Sequence, residues 1–298
     1  MNKMESDIMS INKDFVLITD STCDLPIEFY KENDIKLVEL TYQLNGKEYD
    51  DVSGMPYKEL YKKLREGSVA KTSQITPDTF ETIFEDIIKK DKEILYIAFS
   101  SGLSGTYNSA RIAGENIAEK YPDAHIRIID SLCASLGEGL LVYKAVEQMN
   151  QGKSLDEIAD WVEENKLHIC HMFTVDDLMF LHRGGRVSKT SAIAGSILGI
   201  KPGLHVDNEG HLIPLAKVRG RKQSLNWLVD NMEKRIGNWE NTVFAICHGD
   251  CIEDAEYVAN LVKEKFGIEK CIINNTGTVI GSHSGPGTLA LFFMGDYR

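Results

Sequence analysis

ILYIAFSSGLSGT, residues Ile94–Thr106, is the stretch that decides the fold. Its opening run of β-formers, Ile94 to Phe99, reads as a buried strand. The run stops at Ser100-Ser101-Gly102-Leu103-Ser104-Gly105-Thr106, and a helical pattern, Tyr107–Ile117, follows. A small, hydroxyl-rich loop therefore joins a strand's carboxyl end to a helix N-terminus, the place where open α/β sheets bind ligands. Free backbone N–H groups and the positive end of the helix dipole favour an anion there. Ser104 and Thr106 add hydroxyl donors. The expectation is an oxyanion pocket on this turn, set against the plainer reading of an ordinary capped turn.

Upstream, Phe15–Thr19 repeats the logic. It is a short strand ending in the polar turn Asp20–Asp24, after which Pro26 opens a helix. Lys36–Leu44 alternates as a strand, and Asn45-Gly46 signals a hairpin. Tyr57–Arg65 and Asp78–Lys89 read as helices, with Lys71–Gln74 a polar loop between them. Downstream, Ile126–Asp130 is a strand and Leu140–Asn150 a helix. Ser154 with Glu157 forms a capping box at the head of another helix, reaching Glu164. Strand and helix alternate throughout, which predicts a parallel-sheet α/β domain.

Near residue 168 the pattern changes. Leu167–Val175 is strand-like, Asp176–Leu181 helical, and HRGGR at 182–186 interrupts it. Ser191–Leu198 reads as a small-residue helix. Lys201–Val206, Leu212–Lys217, Phe244–His248, Cys271–Asn274 and Thr278–Gly281 read as strands, and Gln223–Ile236 and Ile252–Phe266 as amphipathic helices. The expected fold is α/β, with a parallel-sheet domain at 14–167 and an α+β-like domain at 168–298.

The 298 residues suit two domains. A net charge of −12 argues against non-specific binding to nucleic acid or anionic membranes. No apolar run is long enough to span a bilayer, and the polar start MNKMESDIMSINKD lacks a signal-peptide core and reads as a floppy leader. Six cysteines without framework spacing imply reduced thiols in a cytoplasmic protein.

Four polar loops stand out: Asp20–Asp24, Lys71–Gln74, Ser100–Thr106 and Gly281–Gly287. Thr72, Ser104 and His283 could together hold a carboxylate by charge-assisted hydrogen bonds, each contributing roughly 1.5–3 kcal/mol. Singly, each is more simply a turn former or a structural histidine. The conjunction is more specific. DSTCDLP, KTSQ, SSGLSGTYNSA, LHRGGR, IKPGL and VIGSHSGPG, in that order from Phe15 to the C-terminus, resemble the DegV family of bacterial fatty-acid-binding proteins, which includes the binding subunits of fatty acid kinase.

The resemblance implies two α/β domains with a long-chain fatty acid between them. It implies that Thr72 and Ser104 hold the carboxylate and that His283 lies close to it. It places Arg219, with Arg221 the alternative, towards a fatty acid kinase catalytic subunit, and matches Arg183 to the first arginine of the RGGR motif. It further implies phosphorylation of the acid to an acyl phosphate for phospholipid synthesis, no cofactor, and no catalysis by this chain alone. A C16 tail contributes about 11 kcal/mol gross, from about 14 methylenes at about 0.8 kcal/mol each. Candidate tunnel walls are Met172–Leu181, Ala192–Leu198 and Leu289–Met294, although apolar stripes of this kind also make plain core. The basic island KVRGRK, 217–222, could dock an acidic partner surface.

Rival readings are weaker. A serine hydrolase would use Ser104 as nucleophile and His283 as base, but residue 106 is Thr where the elbow needs Gly. Gly152-Lys153-Ser154 resembles a P-loop tail, but Glu147 stands where a glycine is required. Cys247–Cys251 and His168–His171 carry metal-ligand types without zinc spacing.

Overall fold

The computed structural model describes residues 14–188 and 199–298. The leader and the helix read at Ser191–Leu198, with its tunnel-wall segment, lie outside the described residues. In chain order the elements are β1 (Phe15–Asp20), α1 (Ile27–Glu32), β2 (Lys36–Val38), β3 (Thr41–Leu44), β4 (Lys47–Asp50), α2 (Tyr57–Arg65), β5 (Ala70–Ser73), α3 (Pro77–Ile88), β6 (Glu93–Ala98), α4 (Thr106–Lys120), β7 (Ile126–Asp130), α5 (Leu136–Asn150) and α6 (Leu155–Asn165). There follow β8 (Ile169–Thr174), α7 (Met179–Arg183), β9 (Ile200–Val206), β10 (Leu212–Arg219), α8 (Arg221–Arg235), β11 (Val243–His248), α9 (Ile252–Phe266), β12 (Lys270–Asn275), α10 (Thr278–Ser284) and β13 (Leu289–Met294).

The first sheet has the order β2-β1-β6-β7 and is parallel throughout, as the alternation of strand and helix predicts. The chain runs outward from β1 one way to β2 and the other way to β6. The carboxyl ends of β1 and β6 therefore flank a switch point, where the connections diverge and leave a crevice. One face packs on α3 and α4 through Ile18, Ile94, Tyr96, Phe80, Phe84 and Ala113. The other face, through Leu17, Leu95 and Ile97, meets α5 and α6.

The second sheet is mixed, with the order β10-β9-β8-β13-β11-β12, in which only β11 and β12 run parallel. Alternation splits its side chains. Leu289, Leu291 and Phe293 of β13 face α8 and α9, whereas Ala290 and Phe292 face α5 and the first sheet. One core thus runs unbroken from Leu17 and Ile97 of the parallel sheet through α5 to Phe292 of the mixed sheet. Arg298, itself buried, ties the halves by donating to the carbonyls of Leu132, Lys166, Ile169 and Asp207.

Three expectations change, each because long-range contacts overrule the local pattern. Lys36–Leu44 is two strands in two sheets. Leu40 N–H donates to Ser21 Oγ (3.0 Å) and its carbonyl accepts from Asp51 (3.0 Å), so the ladder breaks there. The second piece, β3, joins a separate ribbon, β4-β3-β5, through a two-residue turn at Asn45 (φ 52°) and Gly46 (φ 78°). Lys71–Gln74 is not a loop, since Ala70–Ser73 forms the ribbon's edge strand β5, with Thr72 opposite Tyr42. Thr278–Gly281 is helix, not strand. Asp51 Oδ1 accepts from Thr278 Oγ1 (2.7 Å) and Val279 N–H (2.7 Å), a cap supplied from 228 positions away. The capping box at Ser154 and Glu157 forms as read.

Candidate ligand-binding site

A cavity of about 180 Å³ lies between the two sheets. Its floor is the inward face of the mixed sheet, where the strand register sets Phe173, Ala290 and Cys247 side by side, with His171 and Phe292 in the next row. Its roof combines the ribbon (Thr72, Ser73, Gln74), the loop after β6 (Phe99, Leu103, Ser104, Gly105) and α10 (Val279, Ile280, His283, Ser284). Of the expected tunnel walls, Phe173, Leu181, Ala290 and Phe292 face the cavity; Met172, Leu289, Leu291 and Phe293 face the opposite core.

The three predicted carboxylate-binding residues line this one cavity, although they arrive from a ribbon, a βα loop and a helix. Thr72 Oγ1 lies 2.7 Å from His283 Nε2. Ser104 Oγ lies 3.0 Å from Thr106 Oγ1 and accepts from Thr106 N–H (3.3 Å). Burial, and then the charge of Arg186, push the His283 imidazole down to about 4, so the ring is neutral near pH 7. Gly184 packs directly on it: a Cβ there would fall 2.1 Å from His283 Nδ1.

The loop Ser100–Thr106 is anchored rather than open. Ser101 N–H donates to Asp130, Gly102 N–H to Ser100 Oγ, and the N–H groups of Leu103 and Ser104 to the Ser100 carbonyl. Ser100 Oγ reaches across to the Gly210 carbonyl (2.9 Å), and a Cβ on Gly102 would lie 2.8 Å from the Glu209 carbonyl. The N–H groups of residues 101–104 and 106 are therefore engaged, and the cavity-facing side chains add further donors.

Sequence reasoning missed Arg186. The RGGR motif offers two arginines. Arg183 is exposed, its guanidinium 4.5 Å from the Phe180 ring, and it does not line the cavity. Arg186 does, half-buried, donating Nε (3.1 Å) and Nη2 (2.9 Å) to the Leu103 carbonyl and Nη1 to that of Gly184. Among the described residues no carboxylate pairs with it, so a cation without a counter-charge stands beside the hydroxyls. Such a place attracts an anion. The motif marked the segment; only the turn at Gly184-Gly185 decides which arginine points inward. Ser284, next to His283, also lines the cavity, with a buried Oγ that has no partner.

The hydrolase geometry does not form. His283 bonds to Thr72 and Ser104 to Thr106; no hydrogen bond joins Ser104 to His283. No cluster of three or more His, Cys, Asp or Glu among the described residues could hold a metal. Arg221 is bound to Asp254 (2.8 Å) and sits 3.7 Å from Asp176, whereas Arg219 is exposed at the end of β10 with no ion pair among the described residues.

Comparison with known proteins gives the fold and site a context. A DegV domain-containing protein of Clostridium perfringens is 50% identical over 96% of this chain and 99% of its own. A solved DegV family protein of Thermus thermophilus, described by its fatty acid binding, superposes with a TM-score of 0.85 at 27% identity, covering 94% of this chain and 99% of that one. A fatty acid binding DegV family protein of Streptococcus agalactiae gives 0.84 at 28%, over 95% and 99%. The family model described as "Uncharacterised protein, DegV family" matches residues 14–296, and this chain belongs to that family.

Proposed function

We propose that this protein binds a long-chain fatty acid between its units 14–167 and 168–298, and presents the carboxylate to a fatty acid kinase catalytic subunit for conversion to an acyl phosphate. The observation that carries the binding reading is the Arg186 guanidinium, unpaired by any described carboxylate, at one end of an otherwise largely apolar cavity. Thr72 and Ser104 donate to the carboxylate oxygens. Neutral His283, carrying its proton on Nε2, donates to Thr72 and so frees the Thr72 hydroxyl proton for the ligand. Arg186 balances the charge. Solved relatives described as fatty acid binding support this reading.

The kinase part rests on family resemblance together with exposure. Arg219 and Arg183 are exposed on the surface, and we assign them to the partner-facing side. The chain itself catalyses nothing on this reading, uses no cofactor and works in the cytoplasm in the supply of acyl groups to phospholipid synthesis. Among the described residues, no helix is long and apolar enough to cross a membrane.

Mass spectrometry after denaturing extraction of the purified protein is expected to release a C14–C18 acid; a protein that neither carries nor takes up such an acid overturns the reading. Ser104→Ala is expected to weaken the acid about tenfold, the worth of one hydrogen bond to a charged group, in a dye-displacement assay. Wild-type affinity would remove Ser104 from the site. Arg219→Ala is expected to cut acyl phosphate formation by an added kinase while acid affinity holds; equal turnover would remove Arg219 from the partner face.

A further inference from the structure

Building on the fatty-acid reading, we propose that the cavity is made for an acyl chain carrying a hydroxyl group in mid-chain. The wall is not apolar along its whole length. Thr276, just after β12, is fully buried and lines the cavity, and its Oγ1 has no hydrogen-bond partner. Its backbone is fixed on both sides: the N–H donates to the His248 carbonyl (2.9 Å) and the carbonyl accepts from Tyr61 (2.9 Å). The hydroxyl is therefore held in place with the Cys247 thiol, a weak partner, beside it and no ordinary hydrogen bond made.

Two further polar side chains lie around it. Cys247 pairs in register with Asn274, two residues before Thr276, which puts Cys247 and Thr276 on the same face at one end of the sheet. Burial pushes the Cys247 thiol up to about 12, so it stays neutral and does not repel a ligand oxygen. Ser135 lines the same region, its proton committed to Asp24. Folded proteins rarely leave a buried hydroxyl unpaired. A plain hydrocarbon tail would seal Thr276 in that state, whereas a chain hydroxyl both donates and accepts and so completes it.

The spacing sets Thr276 apart from the carboxylate end. It precedes α10, whose last turn carries His283, and the five helical steps from Thr278 to His283 alone rise about 7.5 Å. Ser284, another unpaired hydroxyl that lines the cavity, adjoins His283 and belongs to the head-group end. The polar spot at Thr276 thus meets the acyl chain well beyond its first carbons.

The test compares 10-hydroxyoctadecanoic acid with octadecanoic acid by calorimetry on the delipidated full-length protein. The wild type is expected to bind the hydroxy acid at least fivefold more tightly. Thr276→Val, which swaps the hydroxyl for a methyl of like shape, is expected to abolish that ratio, and Thr276→Ser to restore it. A wild type that binds octadecanoic acid as tightly or more tightly overturns the inference and leaves the fatty-acid reading standing. So does a Thr276→Val protein that keeps the preference. Binding of neither acid overturns both. If Thr276→Val does not fold, the wild-type ratio and Thr276→Ser decide the matter alone.

Discussion

Two clusters of polar side chains lie near the carboxyl ends of β1 and β6, and they behave oppositely. One is Thr72, Ser104, His283 and Arg186, facing the cavity with donors to spare. The other is Asp20, Thr19, Thr22, Tyr96 and Glu138, wholly buried and closed on itself. Asp20 accepts from Thr22 Oγ1 (2.5 Å), Thr22 N–H (3.2 Å), Tyr96 (2.7 Å) and the Phe99 N–H (3.0 Å). Thr19 Oγ1 lies 3.1 Å from the Ile97 carbonyl and 2.9 Å from Glu138 Oε1. Thr19 has one proton, so if it serves the carbonyl, Glu138 must donate. Burial does push the Glu138 carboxyl well above its usual range, which keeps it neutral. These two acids and two threonines position a loop: Asp20 fixes the backbone at Phe99 from which the Ser104 turn departs. A binding site is marked by donors and charges left over, and a scaffold by donors and acceptors that cancel.

The comparison breaks most visibly in stability. Asp20→Asn puts an NH₂ among hydrogen-bond donors and is expected to cost about 3 kcal/mol, whereas Glu138→Gln, which keeps a neutral group of the same shape, is expected to cost less than about 1 kcal/mol. Urea denaturation reads both; equal losses would contradict the assignment of the proton to Glu138. On the open side, Gly184→Ala removes no polar group but drives a methyl into His283. A loss of acid affinity of about tenfold is expected, matching one lost hydrogen bond. Unchanged affinity would show that the position of His283 does not matter to the ligand.

A further effect concerns pH. His283 titrates at its ordinary value of 6.5 when unfolded and at about 4 when folded. Between those values the unfolded chain holds the extra proton, so stability is full above about 6.5 and is lost as pH falls towards 4. His283→Gln is expected to flatten that part of the stability profile. A slope identical to wild type would place the folded imidazole at its ordinary value.

Much of this was legible in the chain. The strand–loop–helix at Ile94–Thr106 and the repeat of its logic at Phe15 gave the parallel sheet, because local β-propensity and turn chemistry agree there. Thr72, Ser104 and His283, which line one cavity, were singled out from several loops read together. What stayed hidden depended on distant partners. Asp51 turns Thr278–Ser284 into helix against its β-branched start, and Ser21 splits the strand at Leu40. Arg186 could not be separated from Arg183 because both flank the same glycine pair. Thr276 carried no motif at all; its interest lies wholly in what it fails to touch.

The 2.7 Å contact between Thr72 and His283 spans 211 positions of sequence. An acid seated on that pair is gripped by two distant parts of the polypeptide at once, so its occupancy would be felt as resistance to unfolding across the whole molecule. Melting of the loaded protein would then shift as a single step with ligand concentration, and cargo and architecture would be given up together.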